Sequence, residues 1–261
     1  IAYGNRLIWD IGYGSLHKDR YETAPDYPHD QNPTGHSTLV IPEALRDGDP
    51  STNTSQISGR DGTIETVTID GHELLLLDGS VVYGKKDAEY GWLEHFHRRV
   101  LPLGSGHIIL VDDFAVRSDR GEAMVSEYWY TMPWEEDFDP SECEHQDQLV
   151  DVSISDDTID LVPICSGLEN TTAESAGRIV GASLQPGHFE DMGEIGMVDR
   201  LDDETFKRRM KWTPDESVSR DLRLFALLAA PGESELPEGE WAWTDCDSDY
   251  CVELSIDGEP T

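Results

Sequence analysis

Alternation of apolar and polar positions with a period of two runs through most of the chain. Val150, Val152 and Ile154 alternate with Asp151, Ser153 and Ser155. Asp156-Asp157 then turns the chain into Thr158-Ile159-Asp160-Leu161. That is a hairpin with one wet face. Thr63 to Ile69, His72 to Leu77 and Ser80 to Tyr83 are joined by Asp70-Gly71 and Asp78-Gly79. Asp-Gly pairs suit type I′ turns, because glycine accepts the positive φ they require, and a three-stranded meander is expected here. Further strands are expected over 93–101, 107–114, 123–131, 178–184, 222–229, 240–244 and 250–256. In the last, Val252, Leu254 and Ile256 share one face while Glu253, Ser255 and Asp257 share the other. Helical periodicity is scarce, and Asp203 to Lys211 is its best candidate. Many short strands separated by Gly, Asp and Pro turns predict an all-β protein, an antiparallel β-sandwich or stacked sheets with at most one short helix.

Composition changes the picture in one respect. Asp and Glu number 54 against 19 Lys and Arg, for a net charge of -35, yet 37% of residues are hydrophobic and seven Trp are present. The aromatic and apolar runs are enough for a packed core, so the acidity belongs to the surface rather than to disorder. A dispersed acidic excess repels itself at low salt and is relieved at high ionic strength, which points to a halophilic protein. Nucleic acid is excluded as a partner by the lack of a basic stripe. No apolar run approaches the roughly eighteen residues of a membrane span. The chain begins with Ile1 rather than Met, so its natural N-terminus is expected upstream, and localisation is not readable. Four cysteines (Cys143, Cys165, Cys246, Cys251) form no zinc-ribbon spacing. Cys246 and Cys251 flank an Asp-Ser-Asp turn; they could pair across a hairpin, although free thiols are the default expectation.

Three groups of residues could carry chemistry. The stretch between Asp10 and Thr38 offers no strand pattern but holds His17, His29, His36, Tyr13, Tyr21 and Tyr27. A structureless loop of about 25 residues inside a compact domain is commonly functional. Asp10 ends the apolar run Leu7-Ile8-Trp9 and His36 opens the next strand. A carboxylate and a neutral imidazole are suitable zinc ligands. A strand-ending turn at Asp10 and a surface histidine at His36 fit the spacing equally well. Tyr21 and Tyr27 on the same loop are candidate acids or bases, since a nearby charge can bring a phenol into range. The third group is Glu94-His95-Phe96-His97-Arg98-Arg99, near Lys85 and Lys86. Alternation puts His95, His97 and Arg99 on one face, with Phe96 and Arg98 on the other. This concentration of positive charge could grip a carboxylate or sulfate, or serve the surrounding acids as internal ion-pair partner. Walker A, G-x-S-x-G and H-E-x-x-H motifs are absent.

Taken in order, these segments resemble the heparinase II/III-like family of polysaccharide lyases. Gly4-Asn5-Arg6-Leu7-Ile8-Trp9-Asp10-Ile11-Gly12-Tyr13 is similar to the family's G-x-x-L-(I/L)-x-D-x-G-Y strand, and His36-Ser37-Thr38-Leu39 to its H-N-T-(V/L), with Ser37 in place of Asn. His97-Arg98-Arg99-Val100-Leu101 and Ile108–Asp113 resemble the H-x-R-x-(V/L) strand and its successor, and Glu127 to Pro133 resembles the next strand. The likeness covers residues 1–133, a heparinase-like sheet domain with the metal-site loop; 134–261 would continue the sandwich or form a small β subdomain. An acidic, turn-rich loop over 133–146 is expected between them.

The resemblance implies a C-terminal sheet module that works with an upstream helical toroid domain. Together they would cleave a uronic-acid-containing polysaccharide by β-elimination. It implies a zinc ion held by Asp10, His36 and a histidine of an H-x-H-x-D segment, and a catalytic tyrosine at Tyr21 or Tyr27; the positive charge of the 94–99 group makes His97, Arg98 and Arg99 the candidates for substrate binding. Neither the H-x-H-x-D segment nor the toroid is in this chain, which is therefore expected to be inactive alone. The alternative is a non-catalytic carbohydrate-binding or structural β module.

Overall fold

The computed structural model describes residues 38–44, 61–69, 71–84, 91–103, 106–131, 150–163, 175–198, 204–231, 236–244 and 251–260. Among these the only helical turn is a 3-10 turn at Pro42–Ala44; the rest is antiparallel sheet and turn. The all-β architecture expected from the alternation is what the chain adopts.

Three sheets stack. The largest has eight strands: β2 (Thr63–Ile69), β3 (His72–Asp78), β4 (Leu93–Pro102), β5 (Ile108–Val116), β7 (Val150–Ile154), β8 (Thr158–Pro163), β9 (Ser175–Ser183) and β12 (Arg220–Pro231). Their spatial order is β2-β3-β4-β5-β12-β9-β8-β7, so strands from both halves of the sequence share this sheet. The second sheet is β1 (Leu39–Val40), β6 (Ser126–Thr131), β11 (Glu204–Pro214) and β10 (Gly187–Val198), in that order. The third is the small sheet β13 (Gly239–Thr244), β14 (Cys251–Ile256) and β15 (Glu259–Pro260).

Strand β12 explains the layering. Leu224-Phe225-Ala226-Leu227-Leu228-Ala229-Ala230 is continuously apolar, the composition of a strand covered on both faces. Phe225 turns toward the four-stranded sheet and meets Trp129, Phe189 and Trp212 with ring centroids 5.3, 6.0 and 5.8 Å away. On its other face Ala226 and Leu228 pack with Val180, Leu254 and Ile256 under the small sheet. A second apolar cluster (Leu39, Ile41, Tyr83, Leu93, Phe96, Phe114 and Val125 among its members) fills the other end of the gap between the two larger sheets. Gly181 on β9 is required by this packing: a Cβ there would lie 2.6 Å from Cζ3 of Trp212.

Four local expectations need correction. The helix expected over 203–211 is absent from 204 onward; Glu204–Pro214 is strand β11, held by β6 on one side and β10 on the other. Its alternate residues Met210 and Trp212 enter the core, so pairing on both edges outweighs a weak helical pattern. Ser80 to Tyr83 is a turn rather than a third meander strand, with Val82 N donating to Gly79 O. Gly71 has the positive φ (86°) that its turn asks for, whereas Gly79 does not. Gly79 is small because Phe96 occupies its side-chain space, 2.7 Å from where a Cβ would stand. Finally, Cys251 is disulfide-bonded rather than a free thiol. Cys143, Cys165, Cys246 and the loop over 133–146 lie outside the described residues.

Candidate functional site

The segment 91–102 shows how one strand serves two environments. On β4 the side chains alternate as the sequence predicts. His95 and His97 stack on the outer face of the eight-stranded sheet, centroids 5.3 Å apart, while Phe96 and Arg98 turn inward. On the outer face His95 Nε2 lies 3.1 Å from Asp113 Oδ1 and His97 Nε2 lies 3.7 Å from Asp78 Oδ1. Arg220 approaches the same Asp113 at 3.9 Å. Arg99, between Leu76 and Val111 in register, makes no hydrogen bond or ion pair. The outer patch therefore combines two histidines tied to carboxylates with one uncommitted guanidinium.

Inward, Arg98 enters a buried ion cluster between the two larger sheets. Its Nε and Nη2 donate to Asp112 Oδ1 and Oδ2 at 2.7 and 2.6 Å, and Nη2 also donates to Glu127 on β6. Deeper in, fully buried Arg223 donates from Nε to Asp221 at 3.0 Å and from Nη2 to the Val125 carbonyl. Its guanidinium lies 4.8 Å from the Phe114 ring centroid. Asp221 accepts further bonds from the Gln185 and Leu222 amides. Two cations thus face three carboxyl groups. Burial, and then the neighbouring Asp112, push the Glu127 pKa well above the ordinary carboxylate range, against the pull of Arg98 and Arg223. Burial also raises Asp221, against Arg223. Glu127 Oε2 and Arg223 Nη1 have no hydrogen-bond partner.

Strand β1, the first described strand, joins the second sheet at this region. Tyr128 N donates to Thr38 O at 3.0 Å, and Leu39 pairs with Glu127. Tyr83 OH donates to the Leu39 carbonyl and lies 2.9 Å from Thr38 Oγ1. Thr38, two residues after His36, is thus held where β1 meets β6. Asp10, Tyr21, Tyr27, His36, Lys85 and Lys86 themselves lie outside the described residues. Among the described residues no group of three or more His, Cys, Asp or Glu is arranged to hold a metal. No described helix is long and apolar enough to cross a membrane.

Alternation in the sequence puts His97 and Arg99 on one face and Arg98 on the other, without saying which is outer, and offers both oxyanion binding and internal ion pairing for the group. The described geometry puts Arg98 in internal pairs. Sequence reasoning missed Asp112, Glu127, Asp221 and Arg223. A signal was present for two of them: Asp112 and Arg223 stand at inward positions inside the apolar runs Ile108–Phe114 and Leu222–Ala230. A charge there must find a partner across the core.

No family model matches the chain, and no curated protein matches it by sequence. Solved structures do match. The heparan sulfate lyase HepC from Pedobacter heparinus superposes with TM-score 0.61 and 11% identity, over 99% of this chain and 34% of that one. The heparinase III BT4657 gene product gives 0.58 and 9%, over 98% and 33%. A further heparinase III gives 0.53 and 12%, over 87% and 29%. At these identities the likeness shows the fold. The chain spans about a third of the length of these lyases.

Proposed function

We propose that the chain is the sheet module of a polysaccharide lyase that cleaves a uronic-acid-containing polysaccharide by β-elimination, acting with a helical toroid domain and in high salt. The observation that carries the reading is the agreement of two independent likenesses. The fold matches heparinase III and heparan sulfate lyase structures over nearly the whole chain, and the motif order of residues 1–133 resembles the same family.

In this reaction a base removes the proton at C5 of the uronate and the bond from C4 to the glycosidic oxygen breaks. An acid then protonates the departing oxygen, leaving an unsaturated sugar. Tyr21 or Tyr27 is the proposed proton-transfer group on the loop that ends at Thr38. His97 and Arg99 on the outer face of the eight-stranded sheet are proposed to bind substrate oxyanions. Arg98, bound to Asp112 and Glu127, would contribute by keeping β4 in place between them.

Asp10 and His36 have the donor chemistry for zinc, an oxygen and an imidazole nitrogen. With a histidine from upstream they would hold the ion, which would organise the loop. His36→Ala in an upstream-extended protein is expected to lower bound zinc substantially, measured by elemental analysis; full zinc content in the variant would refute the assignment.

The reading is tested by incubating the purified chain and its upstream-extended form in multimolar salt with a panel of uronate polysaccharides. Near-ultraviolet absorbance follows the double bond. The extended protein is expected to generate it and the chain alone is not. No absorbance from either, with retained binding, would support a carbohydrate-binding module instead.

A further inference from the structure

In this strongly acidic chain, most of the described basic side chains are claimed by the protein's own acids. Arg98, Arg117, Arg178, Arg208, Arg220, Arg223 and Lys211 each have a carboxylate within 4 Å. Arg209 does not. It stands on β11 on the outer face of the four-stranded sheet and makes no hydrogen bond or ion pair. Its Nε is buried without an acceptor, and its guanidinium carbon lies 6.0 Å from the Tyr128 ring centroid.

Tyr128 is fixed by the backbone bond from its amide to Thr38 O. Burial raises its pKa, against Arg209, so the hydroxyl keeps its proton and remains a donor. Beside it Lys211 is neutralised by Glu190 at 2.9 Å, and His188 is shared between Glu190 and Asp215. The acids on this face are therefore drawn away from Arg209. A half-buried guanidinium without an acceptor bears a desolvation cost that an incoming oxyanion would offset.

We propose that Arg209, resting on Tyr128 beside the Thr38 end of β1, is an oxyanion subsite that takes the carboxylate of a uronate residue. The guanidinium supplies a planar fork of donors, which matches a carboxylate in a way an ammonium cannot. The Tyr128 ring is buried beside the guanidinium and backs it on this face. The subsite lies on the opposite side of the sandwich from His97 and Arg99. It adjoins the strand that leads out of the proposed catalytic loop. The identity of the ligand rests on the proposed lyase reading; the uncommitted guanidinium does not.

The test is calorimetric binding of an oligoglucuronate and of a neutral glucan oligosaccharide of equal length. Both go to the full chain and to Arg209→Ala, Arg209→Lys and, as a charge control, Arg208→Ala, with melting curves for each. Arg209→Ala is expected to weaken oligoglucuronate binding by about tenfold or more, the scale of one lost charge-assisted pair, without changing the glucan. Arg209→Lys should recover only part of the loss, and Arg208→Ala should bind as the parent does. Unchanged oligoglucuronate affinity in Arg209→Ala overturns the subsite and leaves the lyase reading standing. Absence of oligoglucuronate binding by both the chain and its upstream-extended form overturns both. Should Arg209→Ala fail to fold, a folded Arg209→Lys with undiminished affinity overturns the fork.

Discussion

Replacing Arg223 by Ala is expected to cost about 3–5 kcal/mol of folding stability, the scale of breaking a buried ion pair by removing one partner. The side chain is fully buried; it closes on Asp221 at 3.0 Å, reaches across to the Val125 carbonyl and lies over Phe114. Its removal leaves Asp221 in the core with two backbone amides as its remaining donors. It also opens a void against the apolar cluster that joins the sheets at this end. The measurement is denaturant unfolding in constant high salt, where the midpoint should fall without a change in slope. The double replacement Arg223→Met with Asp221→Asn should lose markedly less, because neither retained group is then a lone buried charge. A cost below about 1 kcal/mol for Arg223→Ala, the scale of an exposed pair, would show that Arg223 does not tie β12 to the Val125 segment.

The strands and the core were readable because they depend on local alternation. Val252, Leu254 and Ile256 were legible from period two alone, and Leu254 and Ile256 are buried while Glu253 is exposed. The division of β4 into two faces followed from the same rule. What was not legible depends on contacts made between distant segments. The strand fate of 204–214 is decided by β6 and β10 lying on either side. Gly79 reads as a turn glycine until Phe96, 17 positions later in the chain, is seen against it. Glu127 reads as one acid among 54 until Arg98, Asp112 and Arg223 surround it. Sequence could propose a positive patch at 95–99, but only the register with β5 separates Arg98, facing Asp112, from Arg99, facing Val111. Arg209 carried no signal at all, since its distinction is the absence of an acid beside it. The candidate metal and proton-transfer residues were reached through resemblance, and they lie outside the described residues.

Arg98→Ala should also destabilise by about 3–5 kcal/mol at neutral pH, and its cost should depend on pH in a direction the cluster dictates. Arg98 is the cation between Asp112, fully buried, and Glu127, whose side chain is 1% exposed. Burial would weaken its charge, but those two carboxylates more than reverse the effect and hold its pKa above the usual arginine range. Without it, two carboxyl groups face each other in the core. Glu127 already has a folded-state pKa above its unfolded value through burial and Asp112. The stability it contributes is therefore fully present below the ordinary carboxylate pKa and is lost as pH rises through the raised one. Removing Arg98 pushes that folded value further up and widens the window. The gap between variant and parent should be smallest in acid, where Glu127 carries its proton, and should grow as pH rises above the ordinary carboxylate range. Adding Glu127→Gln to Arg98→Ala replaces one of the facing carboxyls by a neutral group of the same shape. It should recover part of the stability and flatten the pH dependence. Unfolding curves collected across that range distinguish this from loss of packing alone, which would lower the midpoint by the same amount at every pH and would not be rescued by the amide.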